Sequence, residues 1–538
     1  MKLNNLFFIL LLSVTIVYAQ EINTTEVKVV EGFIPIIPEA NRLNENATFA
    51  DTVKKDRIQS YQVLDVKLKP NFETKPLKAA IVKADKIPQL FGTGVSFGFG
   101  NASTTKASVL HNSKRSKTLS YGLLLNHFSN RYEASDLIKN STNTMHIYVK
   151  KISASNIFMT NMDYERRTAL YYQKGSANIE ESFFRNRFSF SKISFSVISS
   201  QMFAKKLSHN TIFFISDFNE RSENHIYLGS DLSKTINGFP FNLKIEFNDY
   251  LNYNNPESEF EETSVQSYHF SPSTSLSKYG FDFDLGLELN YLSDGKSFRV
   301  SPQIKSTKRL VKDILLLHAG LRHSNHRHTF KSLSGENPYI HSFGMNQSIL
   351  GSNGFSQNLK TTNLDELYIT MRNLLTKDEI FEASLSYGIV QNFSHFIVLT
   401  NGIYNRFKID YLDVIQLHAN ASYDREINKM IALNINVDYY KWDKQVDHKS
   451  NFICTVNSPI NLRDKIMLSP SIVYNSIRMS QNNELPAQFH ANLGIHYIYS
   501  KQFSAYLQFN NLTNSKEELW SGFKEVGFNG VFGLNYSF

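Results

Sequence analysis

From residue 91 to the C-terminus, apolar and polar positions alternate with a period of two. In 281–291, Phe281, Phe283, Leu285, Leu287, Leu289 and Tyr291 are apolar, and Asp282, Asp284, Gly286, Glu288 and Asn290 stand between them. The same pattern sets Phe239, Phe241, Leu243, Ile245 and Phe247 against Asn242, Lys244, Glu246 and Asn248, and it returns at 415–424, 431–439 and 489–499. A period of two sends successive side chains to opposite faces, so each segment predicts a strand with one apolar and one polar face. Length then separates two architectures. Strands of soluble proteins run ~5–6 residues, whereas a tilted membrane-crossing strand needs ~9–11. These segments have the second length. Their polar faces also carry successive charges, which suits a water-filled lumen better than the dry interior of a sandwich. The pattern predicts an all-β protein, a transmembrane antiparallel β-barrel over 91–538. Tyr439, Tyr440, Trp442, Tyr497 and Tyr499, near segment ends, are expected in its interfacial girdles.

About twenty-two amphipathic segments can be placed in 91–538, with short turns at one end and longer loops at the other. A count of 14–18 also fits the text. Alternation slips register near Lys192 and is weak over 391–403.

Composition narrows the classes further. Aromatic residues make up 13%, mean hydropathy is −0.30, and after residue 19 no apolar run approaches the ~20 residues of a spanning helix. One cysteine, Cys454, excludes a disulfide framework and a Cys-based metal site, and is read as a small membrane-facing residue. The net charge of +8 is dispersed and calls for no nucleic-acid partner. Residues 1–19 read as an export signal: Lys2, an apolar run from Leu6 to Val17, and the cleavage pattern Val17-Tyr18-Ala19. Residues 20–90 carry Pro35, Pro38, Pro70, Pro76 and Pro88 and predict extended chain, periplasmic or lying in the lumen, with one short strand at 27–30.

The last residues add a second signal. Phe528, Phe532, Leu534, Tyr536 and Phe538 share one face of the terminal strand, which resembles the signal read by the barrel-assembly machinery of the outer membrane. Phe538→Asp is therefore expected to impair insertion. Normal levels of folded barrel, judged by heat-modifiable electrophoretic mobility, would contradict that expectation.

The stretch from Gln502 to Asn514, with its Asn510-Asn511-Leu512-Thr513-Asn514 turn, followed by Gly527-Phe528-Asn529, resembles the closing strands of TonB-dependent receptors. The segments at 98–101, 112–117 and 120–122, and Phe330-Lys331-Ser332-Leu333-Ser334-Gly335-Glu336-Asn337-Pro338-Tyr339, resemble receptor-like barrels of one branch of Gram-negative bacteria. The resemblance implies a 22-strand barrel in the outer membrane, in contact with its lipid. It departs from the family at the N-terminus. Those receptors place a globular plug before the barrel, and 20–90 is too short and Pro-broken for one; no TonB box is evident.

Candidate chemistry is sparse. Asp282, Asp284 and Glu288 form an acidic row expected to face the lumen, read either as cation preference or as a wall balanced by Lys244, Lys305 or Lys308. Glu246 shares the face of Lys244. His318, Arg322, His326 and His328 share one parity with His323 between them, a pattern compatible with a metal or with a polar rim. No nucleophile–base constellation is visible, so no enzyme and no cofactor are expected. Gly92, Gly94, Gly98 and Gly100 share a face on which another backbone could approach closely, and part of 20–90 is one candidate occupant. Two functional readings remain: a conduit for solutes, passive or gated by a partner, and a non-transporting scaffold that binds a partner protein through 20–90.

Overall fold

The computed structural model describes residues 90–133, 136–173, 184–200, 207–218, 223–252, 264–294, 296–312, 314–340, 359–400 and 405–538. The export signal, the 20–89 segment and its short strand lie outside them.

Twenty-two strands form the wall. They are β1 (Thr93–Gly100), β2 (Thr104–Asn112), β3 (Leu119–Glu133), β4 (Asp136–Ile152), β5 (Asn156–Gln173), β6 (Arg185–Ser199), β7 (Ser208–Phe218), β8 (Glu223–Ile236), β9 (Phe239–Asn252), β10 (Ser264–Lys278), β11 (Phe281–Leu292) and β12 (Ser297–Val311). They continue as β13 (Leu315–Arg327), β14 (Thr361–Thr376), β15 (Glu379–Thr400), β16 (Asn405–Asn428) and β17 (Ile431–Trp442). A broken strand follows as β18 (Phe452–Asn457 with Ile460–Leu462), then β19 (Ile466–Asn475), β20 (Gln488–Ile498), β21 (Phe503–Asn510) and β22 (Asn529–Ser537). Each pairs antiparallel with the next, and β22 pairs back onto β1, from Gly94 opposite Ser537 to Gly100 opposite Val531. Closure leaves no edge, which a sheet in hydrocarbon requires. The Phe538 carbonyl completes the seam by accepting from the N–H groups of Gly92 and Thr93 at 3.1 Å.

The two ends differ. Asn237-Gly238, Tyr279-Gly280 and Arg463-Asp464 all have positive φ, the geometry of tight two-residue turns that match strand twist. They sit at the end that holds the start of β1 and the end of β22, the periplasmic end of such a barrel. The opposite mouth carries the long connections.

The outer wall is apolar. Phe97, Phe99, Ile193, Phe195, Leu285, Leu287, Leu367, Tyr387, Leu534 and Tyr536 all stand exposed on one parity of their strands. Only a lipid environment removes such a belt from water. The chain is an outer-membrane β-barrel. Phe528, Phe532 and Phe538 are exposed on the same parity. Tyr439, Tyr497 and Tyr499 also face outward. Tyr440 and Trp442 depart from the girdle expectation: they stack at 5.5 Å on the other face, where Tyr440 also lies parallel to His418 at 4.2 Å. Cys454 pairs opposite Val437 and Tyr474, in step with the outward Tyr439 and Ile472.

One position of the glycine row, Gly98, has a local occupant. Tyr506 lies opposite Gly533, which lies opposite Gly98, and a Cβ on either glycine would meet the Tyr506 ring. The space at Gly98 is thus filled by the wall's own aromatic side chain. Gly98→Leu should force the ring off its seat and cost about 1–3 kcal/mol, read as a lower denaturation midpoint; an unchanged midpoint would contradict this packing.

Candidate functional site

The mouth opposite the tight turns is crossed by the barrel's own connections. The one between β13 and β14 carries a short helix, α1 (Phe330–Glu336). Thr329 starts it through a capping box: its hydroxyl accepts the Ser332 N–H at 3.1 Å, and the Ser332 hydroxyl accepts the Thr329 N–H at 3.0 Å. Two small hairpins, Arg478–Ser480 with Asn483–Leu485 and Glu518–Trp520 with Phe523–Lys524, lie in the connections before β20 and β22.

These pieces share one apolar core with the wall. Phe330, Leu333, Tyr339 and Ile340 cluster with Ile138 of β4, Ala169 and Tyr171 of β5, Phe188 of β6 and Phe218 of β7. The same cluster includes Phe396 of β15, Phe407 and Ile409 of β16, and Trp520 and Phe523 of the second hairpin. Strands β5 and β16 are eleven apart in a closed ring of twenty-two, so they stand on opposite walls. A chain of rings joins them: Tyr171 to Phe523 at 4.9 Å, Phe523 to Phe407 at 5.4 Å, with Tyr339 stacked on Phe523 at 4.2 Å. A contact of that kind between opposite walls spans the bore. The mouth is bridged.

Polar latches hold the insert to the wall. Arg167 of β5 donates to the Ser334 carbonyl and hydroxyl, both at 3.0 Å. Lys331 pairs with Glu165, also on β5. Asn186 of β6 donates to the carbonyls of Pro338 at 2.8 Å and Ile340 at 3.0 Å. The Phe330 N–H donates to Glu223 of β8 at 3.0 Å. Arg478 holds the second hairpin through the Glu518 and Leu519 carbonyls at 2.8 and 2.6 Å. Two buried histidines border this core. His448 Nδ1 lies 2.9 Å from the Phe396 carbonyl and its ring packs on Phe407 and Trp520, while His328 Nε2 lies 2.7 Å from the Thr362 hydroxyl. Burial pushes His448 down to about 4 and His328 down to about 3, the latter helped by the neighbouring His326 and then by Arg327 and Lys449.

The residues expected to face the lumen lie along the barrel wall, away from this bridge, whereas His328 of the histidine row borders it. Lys244, Glu246 and Glu288 come together around a recess of about 730 Å³ that also meets His269 and His323. Lys244 pairs with Glu246 at 3.0 Å, and Glu288 accepts from Asn290 at 2.9 Å and faces His269 at 3.6 Å. Asp282 and Asp284 are bonded to Ser277 and Ser275 of the neighbouring strand, and Asp282 pairs with Arg309 at 3.2 Å. His318 meets the Thr307 hydroxyl at 2.8 Å; Arg322 pairs with Glu366 and covers the Tyr368 ring. The histidines are thus held by separate partners. His323 bonds Asp365 at 2.6 Å, and His326 sits edge-on to His328 at 4.8 Å. Among the described residues no group of three or more His, Cys, Asp and Glu is placed to hold a metal ion.

The latch residues Glu165, Arg167, Asn186 and Lys331 were not foreseen. One signal pointed to them. In β6 the apolar parity changes from Phe188 and Phe190 to Ile193 and Phe195, because the upper pair faces the core in the mouth and the lower pair faces lipid.

No protein-family model matches the chain, and neither does any curated protein sequence. Solved structures do match in shape. A mutant of the ferric enterobactin receptor PfeA from Pseudomonas aeruginosa superposes with a TM-score of 0.59 at 9% identity, over 83% of this chain and 80% of that one. The ferric-catecholate import receptor Fiu from E. coli K12 gives 0.58 at 11% identity, over 84% and 82%. The copper transporter OprC gives 0.59 at 11%, over 84% and 82%. At this identity the likeness establishes the fold, that of large outer-membrane receptor barrels.

Proposed function

We propose that the protein is an outer-membrane conduit for polar solutes whose outer mouth is held shut by its own β13–β14 insert. The observation that carries this reading is the aromatic bridge from Tyr171 through Phe523 to Phe407 between opposite walls. Similarity in fold to receptors for ferric enterobactin and ferric catecholates and to a copper transporter supports a transport role. In this reading Asp282, Asp284, Glu288, Lys244, Glu246, His318 and Arg322 line the passage. Their mixture of signs, with Lys244 beside Glu246 and Arg309 beside Asp282, favours a balanced wall over selection for cations. The 20–90 segment is left for a periplasmic partner.

Proteoliposome swelling in a neutral saccharide tests the proposal. Wild-type protein should swell slowly. Arg167→Ala combined with Lys331→Ala removes charge-assisted bonds worth about 1.5–3 kcal/mol each and should speed swelling at least about tenfold. A properly folded double variant that swells no faster would favour the scaffold reading, in which the barrel anchors a complex and carries no solute.

A further inference from the structure

A cluster of cations occurs on the outside of the wall. Arg131 of β3, Lys139 of β4, Arg166 of β5, and Arg185 and Arg187 of β6 surround a recess of about 420 Å³. No carboxylate lines it among the described residues; the other lining side chains are serines, asparagines and a threonine. Glu133, next along β3, pairs with Arg131 at 2.8 Å.

Parity sets the direction of this face. Arg166 shares its parity on β5 with the exposed Met162, and Arg187 shares its parity on β6 with the exposed Ile193 and Phe195. Lys139 is in step with exposed Val149 on β4, and Arg131 with exposed Leu125 and Tyr121 on β3. The opposite parity of β5 carries Glu165, Arg167 and Tyr171, which bind the closure of the mouth. The cluster therefore faces away from the bore. Cross-strand pairing keeps it together: Arg131 lies opposite Lys139, Asn143 opposite Arg166, and Arg187 opposite Thr168.

Height sets the environment. Moving from the tight-turn end toward the mouth, the outer face runs from Leu125 to Ser129 to Arg131 on β3, from Met145 to Ser141 to Lys139 on β4, from Met162 to Arg166 on β5, and from Ile193 to Ser189 to Arg187 and Arg185 on β6, with Arg166 opposite Ser189. A belt that meets acyl chains ends here, and the next level outward is that of headgroups. Long cationic side chains at that level can reach phosphate oxygens while their stems cover apolar surface. Arg166 and Arg187 are exposed.

We propose that this face binds the phosphate groups of an outer-leaflet lipid, seated with its acyl chains on the belt of β3–β6 and its phosphates among Arg131, Lys139, Arg166, Arg185 and Arg187. Arginine suits such a ligand because its planar fork donates two parallel bonds to a phosphate. The bound lipid would brace the strands whose inner faces carry the latch, so lipid and closure would support each other.

The test is calorimetric titration of the full detergent-solubilised chain with lipid A, a diphosphorylated disaccharide lipid. Saturable binding is expected, weakened about tenfold or more by Arg166→Gln combined with Arg187→Gln. Lys377→Gln, in a turn at the other end, should leave it unchanged, and dephosphorylated lipid A should bind poorly. Heat-modifiable mobility confirms that each variant is folded, and Arg131→Gln alone should give a smaller loss in the same direction. Equal affinity of wild type and the folded double variant would overturn the proposal. So would inorganic phosphate binding as tightly as lipid A, which would make the site one for a free anion.

Discussion

Replacing residues 329–340 with a short Gly-Ser linker should turn a closed barrel into an open one, seen in planar bilayers as steady large-conductance channels where wild type is mostly silent. The insert supplies Phe330, Leu333, Tyr339 and Ile340 to the core that crosses the bore. Full burial of an aliphatic or aromatic side chain of this size is worth about 1.5–3 kcal/mol. Losing four together removes far more than a thermal fluctuation provides. The wall should survive, because its strands are tied by the continuous ladder from β1 to β22 and not by the insert. Persistent silence of the folded deletion variant would show that something other than the insert blocks the bore.

Acid should open the mouth. His448 and His328 are buried beside the closure and held at about 4 and about 3, while a displaced insert returns them toward the ordinary imidazole value near ~6.5. The displaced state then binds more protons than the closed state wherever pH lies between those values. Stability of the closed state is complete above ~6.5 and falls as pH drops, down to about 4 for His448 and about 3 for His328. At pH 5 the loss is about 2 kcal/mol for each imidazole, enough for a roughly thirtyfold shift toward the open state. Conductance recorded from pH 7.5 to 4.5 should rise through this window, and His448→Gln should flatten part of the rise. A flat wild-type profile would contradict the role given to these rings.

The barrel itself was legible because lipid and lumen impose opposite polarity on alternate residues. Segments such as 281–291 and 431–439 read as strands without ambiguity; of the two counts the text allowed, about twenty-two and 14–18, the wall has the first. The closure was not legible. Near the mouth, the inward face is also apolar, so the two-residue pattern reverses or blurs. Phe188 and Phe190 in β6, near Lys192, and Phe396 in β15, within 391–403, face the bridge where alternation falters, and Phe407 in β16 faces it too. A bulge adds to the blur in β15: pairing shifts register between Val390 and Phe393, with Asn392 at positive φ. Tyr440 and Trp442 illustrate a second limit. Aromatics near a strand end fit a girdle, yet stacking on His418 turns this pair to the other face. Of the glycine row, read as room for a neighbour, Gly98 is filled by Tyr506 of the wall, and the 20–89 segment proposed as occupant lies outside the described residues. The latch pairs join residues such as Arg167 and Ser334, so far apart in sequence that no local pattern links them.

A tether across the latch tests the central claim most directly. Glu165 and Lys331 are in contact across the insert–wall boundary. With Cys454 replaced by serine, Glu165→Cys and Lys331→Cys can be joined by a short reducible dithiol cross-linker and the channel recorded at pH 5. The tethered protein should stay closed and open on addition of reductant, while the same protein never cross-linked opens from the start. Equal conductance before and after reduction would show that the β13–β14 insert is not the gate.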